Sequence, residues 1–318
     1  MTTRRAMLWG LVATLLIGQA LTLLLLLGTT QLTHRKIAIT AKLRGAAPHV
    51  SWLEVASVLL PAAIRPGFLA EVQCPETYFG TPIWQKRTES DRMTLWSTPM
   101  GDFWASPQDG SLLGCIVAEE KTFRIYDRPP VTVRTGDVVI DGGAHVGTFS
   151  RLAFQKGAST VVAFEPDPRN VEYLKRNFEK EIGQGRFVII EKALWDRSGP
   201  LKLSPEPSSA ATSVSAEIGP HKATIPGTTI DEAVRELGLK RVDFIKLDIE
   251  GGERRAILGS SQTLARFSPR MVVCTYHAPD DAAKVTELVL RAQPAYWLFA
   301  TATQAYFYLG TGLHRPLP

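Results

Sequence analysis

Short apolar runs, each closed by a polar residue or a glycine, alternate with segments of helical period from Asp137 onwards. "DVVIDGG" (137–143) predicts a buried strand, and "TFSRLAFQKG" (148–157) a helix that stops at glycine. "TVVAFEP" (160–166) predicts a second strand. Asp167 then stands where an N-cap belongs, and Pro168 where the first helical turn needs no N–H; Val171, Leu174 and Phe178 share one face of the helix that follows. "RFVIIEKA" (186–193), "VDFIKLDIEG" (242–251) and "RMVVCTYHA" (270–278) predict three more strands. Helices are expected over 229–238, opened by a capping box of Thr229 with Glu232, over 252–259 and over 280–292. "AYWLFATATQAYFYLG" (295–310) reads as the two strands of a hairpin. Upstream, "GDFWA" (101–105) reads as a short strand and "SLLGCIVAEE" (111–120) as a helix. Strands alternating with helices require right-handed crossovers, and hence a parallel sheet. The expected fold class is α/β, a doubly wound, mostly parallel Rossmann-like sheet that ends in an antiparallel hairpin.

Two segments depart from that alternation. Residues 204–227 are polar and rich in Ser, Pro and Ala, and read as a lid over the site or as a long surface loop. At the other end, no charged residue occurs from Ala6 to Thr33. About 20 apolar residues rising ~1.5 Å each cross a bilayer core of ~30 Å, whereas the core of a cleavable signal is only about 7–15 residues long. Residues 1–33 are therefore expected to form an N-terminal transmembrane helix that stays in place. Residues 34–96 form a juxtamembrane extension, in which "SWLEVASVLLPAAI" (51–64) is a membrane-surface helix or a packed one. The main domain is expected to run from 97 to 318. Arg35, Lys36, Lys42 and Arg44 outnumber Arg4 and Arg5 across the apolar run, which predicts a single-pass anchor with the domain in the cytoplasm.

Composition narrows the function. The net charge of +5 comes with no long basic run after the anchor, so nucleic acid is not an expected partner. Cys74, Cys115 and Cys274 lie far apart and are odd in number, which gives neither a metal cluster nor a disulfide framework and fits a reducing compartment. Nothing in the sequence fixes the oligomeric state.

In an open parallel sheet, ligands bind beyond the carboxyl ends of the strands where strand order reverses. Polar residues at those ends are Asp141, Glu165, Glu191 with Lys192, Asp248 with Glu250, and His277. The first turn has Asp141 ahead of Gly143 and Gly147, in place of the G-x-G-x-x-G that receives a pyrophosphate. A carboxylate there repels phosphate and attracts a cation. S-adenosyl-L-methionine carries an ammonium and a sulfonium and no phosphate, so an acidic first turn suits it. Gly143 and Gly147 allow close backbone approach. Glu165 ends the second strand where a carboxylate can accept both ribose hydroxyls.

The stretches "GDVVIDGGAHVGTFS", "VVAFEPDPRNVEYLKRN", "EKALWDRSG", "TTIDEAV", "VDFIKLDIEGGERRAILG" and "YHAPDD" resemble the FkbM-type methyltransferases, a branch of the class I enzymes that use S-adenosyl-L-methionine. The likeness covers 98–310 and leaves the apolar run and its extension outside. It implies methyl transfer to an oxygen, commonly a hydroxyl of a sugar or another natural product. It places Asp141, Gly143 and Gly147, with Ala144 and His145 of the same turn, at the amino-acid end of the cofactor. Glu165 falls at the ribose, Lys192, Ala193 and Leu194 at the adenine, and Asp248 beside the methyl. Family members usually have Asn where this chain has His145, so titration of His145 near neutral pH is expected to make cofactor affinity pH-sensitive.

An alcohol must lose its proton on methylation, and a base within reach is worth roughly 10²–10⁴ in rate. His277 is the expected base, with Asp248 orienting it and Glu250 as a further catalytic acid of the rim; Glu253 reads as a charge suited to a helix N-terminus. Asp248, Glu250 and His277 are also conceivable ligands for a divalent ion, yet their spacing does not demand one and no metal is assigned. The expected function is thus a membrane-anchored O-methyltransferase whose acceptor is a small molecule, a glycan or a lipid-linked precursor. The alternatives are a membrane-tethered binding module without catalysis and an NAD-dependent oxidoreductase or epimerase.

Overall fold

The computed structural model describes residues 93–204 and 223–310, together with short strands at 77–78, 81–82, 85–89 and 213–215. The apolar run Ala6–Thr33 and the helix expected over 51–64 lie outside the described residues. Among those described, no helix is long and apolar enough to cross a membrane.

A small hairpin, β1 (Thr77–Tyr78) with β2 (Thr81–Pro82), precedes an antiparallel ladder of β3 (Gln85–Glu89), β4 (Thr94–Thr98) and β5 (Gly101–Ala105). Helix α1 (Gly110–Val117) follows and widens into one π-helical turn, Ala118–Thr122. Then come β6 (Val138–Gly142), α2 (Thr148–Gln155), β7 (Thr160–Phe164), α3 (Pro168–Asn177), α4 (Glu179–Gly183), β8 (Phe187–Ile190) and β9 (Ala193–Leu194). Strands β10 (Gly199–Ser204), β11 (Ser213–Ser215) and β12 (Ala223–Thr228) lead to α5 (Ile230–Glu236) and β13 (Phe244–Leu247). The chain continues through α6 (Glu253–Leu258), α7 (Ser261–Phe267), β14 (Arg270–Cys274), α8 (Asp281–Ala292), β15 (Tyr296–Ala300) and β16 (Gln304–Leu309).

The main sheet has the order β15-β16-β14-β13-β6-β7-β8. Its five strands from β14 to β8 run parallel, and β16 and β15 close one edge as an antiparallel hairpin. The expected fold class is therefore observed in its mixed α/β, mostly parallel sheet and its C-terminal hairpin. Alternate strand residues face opposite sides: Ile140, Val162 and Leu247 pack under α5, α6 and α8, while Val139, Val161 and Phe244 pack under α2 and α3. Burial on both faces explains why these strands read as continuous apolar runs. The local signals hold as well. Asp167 accepts the Arg169 N–H at 2.8 Å, and Thr229 accepts the Glu232 N–H at 2.9 Å. Glu232, however, binds the Thr228 hydroxyl and not the Thr229 amide, so the capping box is half formed.

Three expectations are corrected. The segment 204–227 is not an irregular lid throughout: β10 pairs antiparallel with β11 and β12, and β12 runs parallel to β9, so this ladder hangs from the site's own edge. The boundary between 96 and 97 falls inside β4, and Trp96 is buried with Phe103 and Leu113. Asn177 of α3 fastens that ladder to the main domain, accepting the Trp104 N–H at 2.6 Å and donating to the Trp104 carbonyl at 3.0 Å. Finally, Cys115 is disulfide-bonded, whereas Cys274 is a buried free thiol. One cross-link does not make a framework, but sequence separation hid it.

Candidate active site

Strand order reverses between β6 and β13, and the turns leaving these two strands touch. Gly143 has φ +75°, and a Cβ placed on it would sit 1.9 Å from the Asp248 carbonyl oxygen. Only glycine fits both the conformation and the space. Two cavities open here, side by side. Both are lined by Gly143, His145, Asp248 and Glu250, so they form one bent cleft across the carboxyl ends of the strands.

The outer arm is bounded by Glu165, Lys192, Ala193 and Leu194, all anticipated from the sequence, and by Pro166 and Trp195, which were not. Glu165 is buried; its oxygens accept the His145 N–H at 2.7 Å and the Asp167 N–H at 2.9 Å. Burial outweighs these bonds and lifts its carboxyl to about 7.

The inner arm lies under α1 and its π-helical turn, with Glu119, Glu120, Tyr126, Ala144, Thr148, Lys246 and Tyr276 on its walls. Asp141 does not line either arm. It is fully buried below the first turn, 3.2 Å from Lys246 Nζ, and accepts the Ser150 hydroxyl at 2.6 Å. Lys246 and Asp141 are register neighbours on adjacent parallel strands, which is why they meet. Lys246 also donates to the carbonyls of Gly142 and Gly143, at 3.1 and 2.7 Å. Burial works against its charge, but Asp141, Asp248 and Glu120 outweigh that and hold it protonated. Asp141 thus shapes the turn from beneath, a correction to its expected contact with the cofactor. Gly147 also lines neither arm; with φ +92° it caps α2, where a Cβ would strike the Phe178 ring.

His145 stands in the left-handed region, φ +53°. Asn and His are among the few non-glycine residues that tolerate it, which accounts for the exchange seen here. Burial, aided by Lys246, pushes its imidazole down to about 4. It stays neutral across physiological pH, and the expected titration near neutrality is corrected.

Asp248 joins the two arms. Its carboxylate accepts Tyr126 Oη at 2.5 Å and Tyr276 Oη at 3.3 Å. His277 Nε2 is 3.3 Å from Glu250 and 3.8 Å from Asp248, and Nδ1 is 3.2 Å from Glu253. Burial alone would lower that imidazole, but Glu250, Glu253 and Asp248 prevail and push it up to about 10. A ring held protonated is not placed to accept a proton, which favours Asp248 over His277 as the base. Glu253 is buried and accepts the Ile249 N–H at 2.8 Å, bracing the loop that carries Glu250. The acids of "YHAPDD" serve structure: Asp280 and Asp281 hold Arg254 at 2.5 and 2.6 Å. Asp248, Glu250 and His277 bring ligand atoms within 4.8 Å of one another, close enough for a divalent ion.

Lys246 was the legible signal among the missed residues, since a lysine inside the apolar strand "FIKL" demands a buried acid. Tyr126, Glu120 and Trp195 carried no comparable mark.

A sequence profile described as the methyltransferase FkbM domain matches residues 141–295. These residues form an FkbM-type methyltransferase domain. The 31-O-demethyl-FK506 methyltransferase FkbM of Streptomyces tacrolimicus is 26% identical over 227 residues, covering 61% of this chain and 85% of that one. The 2-O-methyltransferase NoeI of Sinorhizobium fredii (strain NBRC 101917 / NGR234) is 24% identical over 147 residues, covering 41% and 59%. Among solved structures, the methyltransferase FkbM from Methylobacillus flagellatus KT aligns with a TM-score of 0.45 at 19% identity, over 64% of this chain. The alignment spans 56% of that chain. The FkbM-type match begins at Asp141 and takes in both turns that build the cleft, but not the roof at Glu119 and Glu120.

Proposed function

We propose that this methyltransferase uses S-adenosyl-L-methionine and methylates a hydroxyl of a sugar, a lipid-linked glycan or another natural product. The observation that carries the reading is the acid-lined cleft at the strand-order reversal, walled by Glu119, Glu120, Glu165, Asp248 and Glu250. Such a lining favours a cationic nucleoside over a pyrophosphate. The cleft fits that group: Gly143 leaves bare backbone where a Cβ would clash, and Glu165 sits beside the backbone of β9. Glu165 would hold the ribose, and Lys192 to Trp195 the adenine. When bound, the cofactor supplies an electrophilic methyl group on a sulfonium. Asp248 Oδ1 is the atom assigned to take the acceptor's hydroxyl proton, its carboxylate being held by Tyr126 and Tyr276. His277 Nε2, 3.3 Å from Glu250 and 3.8 Å from Asp248, helps to hold both carboxylates in place. The names of the two relatives, a 31-O-demethyl-FK506 methyltransferase and a 2-O-methyltransferase, support oxygen as the acceptor atom.

The apolar run Ala6–Thr33 supports anchoring to a membrane, and with it an acceptor that is membrane-bound. The flanking basic residues, and the place where the cofactor is made, support a cytoplasmic domain. The Cys115 disulfide favours the opposite side, because such bonds persist in oxidising compartments. A C-terminal topology reporter separates the two orientations. The function itself is tested by incubating full-length protein with methyl-labelled cofactor and a membrane-lipid extract; label in a lipid-linked glycan is expected. A melting point raised by NAD and unmoved by S-adenosylhomocysteine would defeat the reading.

A further inference from the structure

The inner arm has a roof whose chemistry the cofactor reading above leaves unused. In the turn Ala118–Thr122, Phe123 N donates five residues back to the Ala118 carbonyl at 3.1 Å. This widened turn sets two adjacent acids over the cavity, Glu119 exposed at its mouth and Glu120 within. Glu120 is 3% exposed. One of its oxygens accepts the Thr148 hydroxyl at 2.8 Å; the other, Oε2, is shut from solvent and meets no donor. A buried polar atom left without a partner costs roughly 1–3 kcal/mol, so its persistence calls for an explanation. The nearest cation cannot provide one, because Lys246 is committed to Asp141 and to the carbonyls of Gly142 and Gly143. The cavity that Glu120 lines is open to a ligand bringing a donor to Oε2.

We propose that Glu120, assisted by Glu119, receives the α-ammonium of the cofactor's methionine portion, the role that the family resemblance implied for Asp141. The assignment rests on the S-adenosyl-L-methionine reading. Glu120 lies in the same arm as Gly143, Ala144 and His145, one step from Asp248, and the opposite arm is the one lined by Glu165. The amino end of α2, whose Thr148 and Phe149 line this arm, suits the carboxylate of the same zwitterion. Burial lifts Glu120 to about 8, against the opposing pull of Thr148 and Lys246 and with the help of Asp141 and Glu119. An empty site near neutral pH therefore keeps a proton on Glu120, and an arriving ammonium expels it.

The test is calorimetry on full-length protein with two probes, S-adenosylhomocysteine and 5′-methylthioadenosine, which shares the nucleoside but lacks the amino-acid end. Glu120→Gln is expected to weaken the first at least tenfold and to leave the second within twofold of wild type. Proton release on binding the first at pH 7, read from buffers of different ionisation enthalpy, is expected to fall in the same variant. Glu165→Gln is expected to weaken both probes. If Glu120→Gln leaves S-adenosylhomocysteine unaffected, or weakens both probes equally, the assignment is overturned. If the wild type takes up neither probe, the cofactor reading falls, and this one with it. Glu119→Gln, at the exposed position, supplies the same comparison should Glu120→Gln fail to fold, and a loss of about threefold confined to S-adenosylhomocysteine is expected.

Discussion

Lys246 Nζ lies 3.2 Å from Asp141 Oδ1, an ion pair closed beneath the turn that forms the floor of the cleft. Both side chains are buried, and each would be left uncompensated by loss of the other. Asp141→Asn and Lys246→Met are each expected to destabilise the protein by about 3–5 kcal/mol. Chemical denaturation of the two single variants and the double variant checks this; the double loss should fall well short of the sum. Additive losses would show that the pair does not act as a unit.

His277 is expected to remain protonated well above neutrality. Its folded value of about 10 exceeds the unfolded imidazole value near 6.5, so its stabilising contribution is complete below the latter and disappears as pH rises through the former. NMR titration of the ring should show no deprotonation between pH 6 and 8. His277→Gln should lower melting temperature at pH 7 and leave the slope of rate against pH between 6 and 8 unchanged. A ring titrating near 6.5 would restore it as the candidate base.

Gly143→Ala places a methyl group against the Asp248 carbonyl at φ +75°. The turns after β6 and β13 cannot both keep their positions. Loss of S-adenosylhomocysteine binding beyond calorimetric detection is expected, together with a fall in stability of a few kcal/mol, of the order seen for overpacking combined with backbone strain. Gly136→Ala, at another positive φ but with open space around it, is the control and should keep binding.

Removing divalent ions is expected to leave methyl transfer within twofold. His277 supplies the positive charge that Asp248 and Glu250 need, at 3.8 and 3.3 Å. Activity before and after EDTA, with magnesium or manganese added back, decides the point. A loss exceeding tenfold that either ion restores would replace the imidazolium with a metal.

The strand–helix alternation was readable because a sheet buried on both faces leaves apolar runs between glycines and caps, and Asp167 and Thr229 cap where expected. The strand-end acids Glu165, Asp248 and Glu250 were readable for a topological reason: a parallel sheet delivers them to one rim. What sits opposite them was less visible. Asp141 ends its strand like the others, but register pairs it with Lys246 on the neighbouring strand, and only the strand order reveals that. His277 reads differently because its three carboxylate neighbours come from the loop after β13 and the start of α6, and "YHAPDD" alone does not show them. The ladder over 199–228 escaped notice since Pro200, Pro226 and Gly227 interrupt its short alternating runs. Glu120 was read as the end of an ordinary helix; side-chain burial at a helix terminus leaves no periodic trace.

The widened turn at Ala118–Thr122 holds one residue more than an α-helical turn would, and it is the surplus that brings two successive glutamates to bear on a single cavity. Deleting one residue there would let the backbone wind at regular pitch while rotating an acid out towards water. Local regularity and a doubly acidic ceiling are therefore mutually exclusive in this chain, and the irregularity is the form in which the site is built.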